Sequence, residues 1–136
     1  MAKSFNLLMI LMLCNCTAHK SRYMVGNSYN CVVEIDEFVN VFLEAKCKGD
    51  TAFLSLLFEQ EVMHSYLTVP APEIFEKLPE ACRLKVTSIY RFGESNVYYV
   101  HLDLEGSVNS KYFFSFLIKN GRIYLETPLR KEPLSM

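Results

Sequence analysis

The sequence predicts an α+β domain, with helices first and an antiparallel sheet after them. Two observations carry this. Apolar residues recur at helical spacing between residues 31 and 58, and from Arg83 the apolar period becomes two, broken by Gly- and Asn-containing turns.

The first segment precedes the domain. Met1-Ala2-Lys3-Ser4 is followed by the apolar run from Phe5 to Leu13 and then by Cys14-Asn15-Cys16-Thr17-Ala18. A single positive charge, a short apolar run and small or polar residues form the three-part layout of a secretory signal. The run is far shorter than the roughly twenty residues needed to span a bilayer as a helix. Leu13-Cys14-Asn15-Cys16 resembles a relaxed lipobox, which gives a signal peptide over 1–15 and a lipid-bearing Cys16. The alternative is cleavage after Ala18, which releases a soluble secreted or periplasmic protein beginning at His19. Residues 16–30 are then expected to be the lipidated cysteine and a flexible tether, because they are polar and lack an apolar period.

Residues 31–136 remain as one domain, a length that builds a core without a disulfide framework. Ile35, Phe38, Val39, Phe42 and Leu43 mark an amphipathic helix that ends at Lys46-Cys47-Lys48-Gly49, with lysines opposing the dipole and Gly49 closing the helix. Asp50 is the N-cap of a second helix running to Phe58. Val62 to Val69 reads as extended, Pro72 as the start of a small helix, and Pro79 as its stop. Strands follow over Leu84 to Phe92, Tyr98 to Glu105, Tyr112 to Ile118 and Ile123 to Leu125. Asn120-Gly121 is the strongest hairpin signal. The upstream helices are the available cover for this four-strand meander.

Charge excludes one class of partner. Acidic and basic residues nearly balance, and no basic run tracks phosphates, so nucleic acid is not expected. No cofactor motif or metal-ligand spacing stands out. Cys31, Cys47 and Cys82 read either as three small buried thiols, which the composition slightly favours, or as one disulfide with three choices of pair.

Phe42-Leu43-Glu44-Ala45-Lys46-Cys47-Lys48-Gly49-Asp50, the hairpin at 84–105 and Ile118-Lys119-Asn120-Gly121-Arg122-Ile123-Tyr124-Leu125 together resemble the nuclear transport factor 2-like (cystatin-like) superfamily. The resemblance covers about residues 31 to 127. It implies a curved antiparallel sheet wrapped around helices as a cone, and small bacterial envelope lipoproteins of this kind are common. The implied place is the cell envelope, on the outer membrane through the acyl chains of Cys16.

Two function classes follow. An enzyme would use the cone as a small-molecule pocket, with His64 or His101 as acid-base and Asp103 and Tyr99 as companions. Alternation speaks against this, since His101 and Asp103 share the face opposite the apolar one. The other class is a non-catalytic binding or interaction module. Tyr90, Phe92, Tyr98, Tyr99, Tyr112, Phe113, Phe114 and Phe116 make the sheet aromatic on both faces. On the outer face Tyr99, His101 and Phe113 are the candidate surface for a protein, a glycan or a second copy. The exposure of Tyr99 and Phe113 tests it.

Overall fold

A computed structural model describes residues 21–58, 71–107 and 109–133. The expected extended segment at 62–69, with His64, and the expected processing site at Cys16 lie outside these residues. The described chain is α+β, with a few helices and a six-stranded mixed sheet. Its elements are β1 (Tyr23–Val25), β2 (Val32–Val33), α1 (Ile35–Lys48), α2 (Thr51–Ser55), α3 (Ala71–Phe75), a 3-10 helix (Pro79–Arg83), β3 (Leu84–Tyr90), β4 (Val97–Leu104), β5 (Lys111–Lys119) and β6 (Arg122–Lys131). The sheet order is β2-β1-β6-β5-β4-β3.

The expected meander is β3 to β6, all antiparallel. Two strands are added to it. Tyr23–Val25 pairs parallel to β6, with Met24 opposite Arg122 and Val25 opposite Ile123, and antiparallel to β2. Val25 is fully buried. Ordered structure therefore begins before Cys31, and the stretch expected as tether contributes to the core. A three-residue strand has too few side chains to show a period, and its partner lies almost a hundred residues away.

Helix α1 forms because its acidic first turn and basic last turn suit the dipole, and Glu37 accepts the Glu34 amide hydrogen at 3.3 Å. Its apolar stripe lies on one face of the sheet. The Phe38 ring is 5.1 Å from that of Phe116 and the Phe42 ring 4.5 Å from that of Phe114, distances of tilted aromatic packing. Val100, Leu102 and Ile123 are buried in the same cluster. Asp50 caps α2 as expected, accepting from the Phe53 amide at 3.1 Å. The helix ends at Ser55, three residues earlier than the sequence suggested, and Leu57 and Phe58 are buried in the turns beyond it. The Leu57 carbonyl accepts from the Leu125 amide at 2.9 Å, so this segment occupies the β6 edge where β1 leaves it. Pro79, expected as a stop, instead opens the 3-10 helix.

Two features tie the far end together. Cys47 and Cys82 form a disulfide with Cα atoms 5.3 Å apart, and Cys31 is free and half-buried. The preferred reading of three free thiols is thus corrected: the end of α1 and the 3-10 helix bring two of them to bonding distance. Lys46 is 3 % exposed. Its ammonium donates to the carbonyl oxygens of Glu73 at 3.1 Å, Ile74 at 3.3 Å and Glu76 at 2.8 Å. It therefore satisfies the carbonyls that end α3 and not those of its own helix.

Burial pushes the Lys46 pKa below its ordinary value of 10.5, against the opposing charges of Glu76 and Glu73. Lys46→Met keeps the stem and strands three carbonyls, so stability at neutral pH should fall by about 1–3 kcal/mol. The pH sign follows from the depressed pKa. Between the folded and unfolded values the unfolded chain binds the extra proton, so this group's contribution rises as pH climbs toward 10.5. Tyr112 acts oppositely. Burial and then Glu80 raise its pKa above 10.0, so its contribution is present below that pH and is lost above it. Urea unfolding of wild type and Lys46→Met across alkaline pH separates the two, because only the difference curve reports Lys46. A difference that stays flat up to pH 10.5 would refute the assignment.

Candidate interaction surface

The face opposite α1 is set by strand register. Directly paired residues project to the same side. Val100 and Leu102 on β4, with their β5 partners Phe114 and Tyr112, are buried toward the helix. Tyr99, His101 and Asp103 therefore lie on the outer face, with Ser115, Phe113 and Lys111 as their respective partners. Tyr99 and Phe113 are half-buried, so neither is consumed by the monomer core.

Strand β3 breaks the alternation. Val86 pairs with Leu102 but Ser88 pairs with His101, so Thr87 is an extra residue in a β-bulge. The Thr87 hydroxyl donates to the His101 carbonyl at 3.0 Å. One inserted residue reverses every later side chain. Tyr90 consequently faces outward opposite Tyr99, although counting from Leu84 places it inward.

The bulge assembles a cluster. The rings of Tyr90, Phe92 and Tyr99 lie 5.4–5.6 Å from one another. Phe92, on the β3–β4 turn, is 64 % exposed and Tyr90 is 38 % exposed. The Tyr90 hydroxyl lies 3.1 Å from His101 Nε2, and His101 Nδ1 lies 2.9 Å from Glu132 Oε2. Only Nδ1 can donate to that carboxylate, so in neutral His101 the other ring nitrogen accepts from Tyr90. Behind the turn, the Arg91 guanidinium sits 5.5 Å from the centre of the Tyr98 ring.

The companions expected for His101 are replaced. Asp103 takes the Lys111 ammonium at 3.1 Å, while Tyr90 and Glu132 hold the imidazole. Glu132 had no signal in the sequence, because it lies beyond the last apolar alternation. His101 stands on an open sheet surface and not among Phe38, Phe42, Phe114 and Phe116, which fill the space between α1 and the sheet. Among the described residues, no three His, Cys, Asp or Glu side chains come together as metal ligands. A groove of about 410 Å³ opens at one end of the sheet, between Ser21, Tyr23, Glu34 and Ile35 on one side and Ile89 and Tyr98 on the other. Chemically, the outer face offers aromatic area with a fixed polar edge, which suits contact. Tyr90 and Glu132 hold the imidazole from its two ring nitrogens, which fixes its orientation on this face.

Compared with protein-family models, curated proteins and solved structures, the chain matches none.

Proposed function

We propose that this chain is a bacterial envelope lipoprotein, anchored through Cys16, whose domain is a non-catalytic interaction module using the outer face of its sheet. The observation that carries the reading is the ring cluster of Tyr90, Phe92 and Tyr99, left open to solvent beside a fixed His101–Glu132 pair. Aromatic groups with a polar edge are the side chains that interfaces favour. Export is supported by the signal layout and by the Cys47–Cys82 disulfide, a bond that persists in oxidising compartments. Acyl chains on Cys16 would hold the protein on the outer membrane essentially permanently. The finer fold reading is a cystatin-like cone of the nuclear transport factor 2-like kind. It is supported by α1 lying beneath the β3–β6 meander and by the break at Gly49-Asp50.

Hydroxyl-radical footprinting tests the module reading. Rates at Tyr90, Phe92 and Tyr99 in intact envelopes are compared with those in the purified Cys16→Ser protein, with the 91 % exposed Tyr29 as reference. Protection of roughly threefold or more is expected at the cluster, as for rings removed from water at a contact, with no change at Tyr29. Equal rates at Phe92 in both settings would remove the outer face as a contact surface. Intact mass of the membrane-fraction protein tests the anchor: acyl mass on the wild type and none on Cys16→Ser.

A further inference from the structure

Where the anchor would leave the domain bears on what covers the aromatic cluster. Ser21 borders the groove whose other side is Ile89 and Tyr98. Ile89 precedes Tyr90 on β3, and Tyr98 precedes Tyr99 on β4. The chain thus arrives at the end of the sheet that carries the β3–β4 turn and Phe92. The β5–β6 turn lies at this end too, since the Ile118 amide bonds to the Asn96 carbonyl at 3.0 Å. Only four residues separate Ser21 from Cys16. Five Cα steps reach at most about 18 Å, whatever their conformation.

On this basis we infer that the β3–β4 end of the domain docks on the membrane that holds Cys16, with Phe92 set into the boundary between headgroups and acyl chains. The inference rests on the anchor proposed above and names the lipid surface as the partner of the outer-face cluster. Burial of one ring is too weak to bring a free protein to a bilayer. So short a tether changes this, because a linked second contact acts at an effective concentration of roughly millimolar. A weak apolar contact then suffices to choose an orientation. Charge does not make the choice, for this end carries Arg22, Arg91, Lys119 and Arg122 against Glu34, Asp36, Glu37 and Glu94. Phe92 makes it, being the most exposed ring of the cluster, with Tyr90 and Tyr99 behind it where amphipathic rings favour an interface.

The chain has no tryptophan, so Phe92→Trp creates a sole tryptophan, excited selectively at the red edge beyond tyrosine absorption, at a site open enough to accept it. Asn109→Trp places the same reporter on the exposed turn between β4 and β5, at the other end of the eight-residue β4 and roughly 25 Å away. Full-length acylated protein is reconstituted into phosphatidylethanolamine–phosphatidylglycerol vesicles, with or without brominated acyl chains. For a ring seated about 5–10 Å into the boundary, emission at position 92 should shift to the blue and fall about twofold or more with brominated lipid. Position 109 should keep solvent-like, unquenched emission. Unquenched, solvent-like emission at position 92 on acylated protein overturns docking and leaves the anchor reading standing. A blue shift without bromine quenching means that protein or a second copy covers the ring, and equal quenching at both positions means no preferred end; each overturns it. Absence of acyl mass removes the anchor reading and this inference together.

Discussion

Replacing Cys47 and Cys82 together by alanine should lower the stability of the domain by about 4 kcal/mol and its midpoint by about 15 °C. The bond spans 35 residues of sequence. Closing a loop of that size removes about 13 cal/mol/K from the entropy of the unfolded chain. The native geometry adds to this, because the bridge fastens the end of α1 to the 3-10 helix that leads into β3, beside the Lys46 contacts to α3. A domain this small has about 5–15 kcal/mol in total, so loss of the bridge removes a large fraction of its stability. Urea titration with and without dithiothreitol makes the check. Reductant should move wild type to the midpoint of the double variant and leave the variant unmoved. A wild-type midpoint indifferent to reductant would show that the bridge contributes nothing. The expected sensitivity also bears on location, since a domain with this dependence is at a disadvantage where thiols are kept reduced.

What the sequence disclosed, and what it withheld, follows from the range over which each signal acts. Helix α1 was legible because five apolar residues repeat over nine positions and because charge at both ends agrees with the dipole. Strands β4 and β5 were legible because each alternates without interruption, which placed Tyr99, His101, Asp103 and Phe113 on the outer face. The bulge at Thr87 was not. A single extra residue leaves no mark in composition yet reverses parity, so plain alternation counted from Leu84 puts Tyr90 on the inner face while the bulge turns it outward. The disulfide was open among three pairs because the relevant quantity is a distance between elements that are far apart in sequence. Lys46 shows the same limit. A lysine in the last turn of a helix reads as a solvated partner of the dipole until a neighbouring helix end presents three carbonyls to it.

Gly26→Ala is expected to be the most damaging single methyl in the stretch taken as tether, costing at least about 3 kcal/mol or preventing folding. Gly26 is buried directly after β1, at φ +44°, and an added Cβ would lie 2.6 Å from the Leu56 carbonyl carbon and closer still to its oxygen. Both are backbone atoms, so no rotamer change relieves the contact. Moving the chain aside instead breaks a knot of hydrogen bonds. The Gly26 amide donates to Ile123 at 2.7 Å, the Asn27 amide donates to Leu56 at 2.8 Å, and Arg122 donates to the Gly26 carbonyl at 2.7 Å. Each buried group left unpaired costs about 1–3 kcal/mol. Gly49→Ala supplies the contrast. Gly49 also has positive φ, +74°, but the atoms nearest to an added Cβ belong to the Lys77 side chain, at 3.2–3.5 Å. Its cost should be about the 1–2 kcal/mol of a left-handed alanine, as Lys77 can swing away. Urea midpoints of the two variants decide the matter. Equal losses would mean that the Gly26 segment can move off β6 freely, as a tether would; a loss at Gly26 two or more times larger fixes the segment as part of the domain.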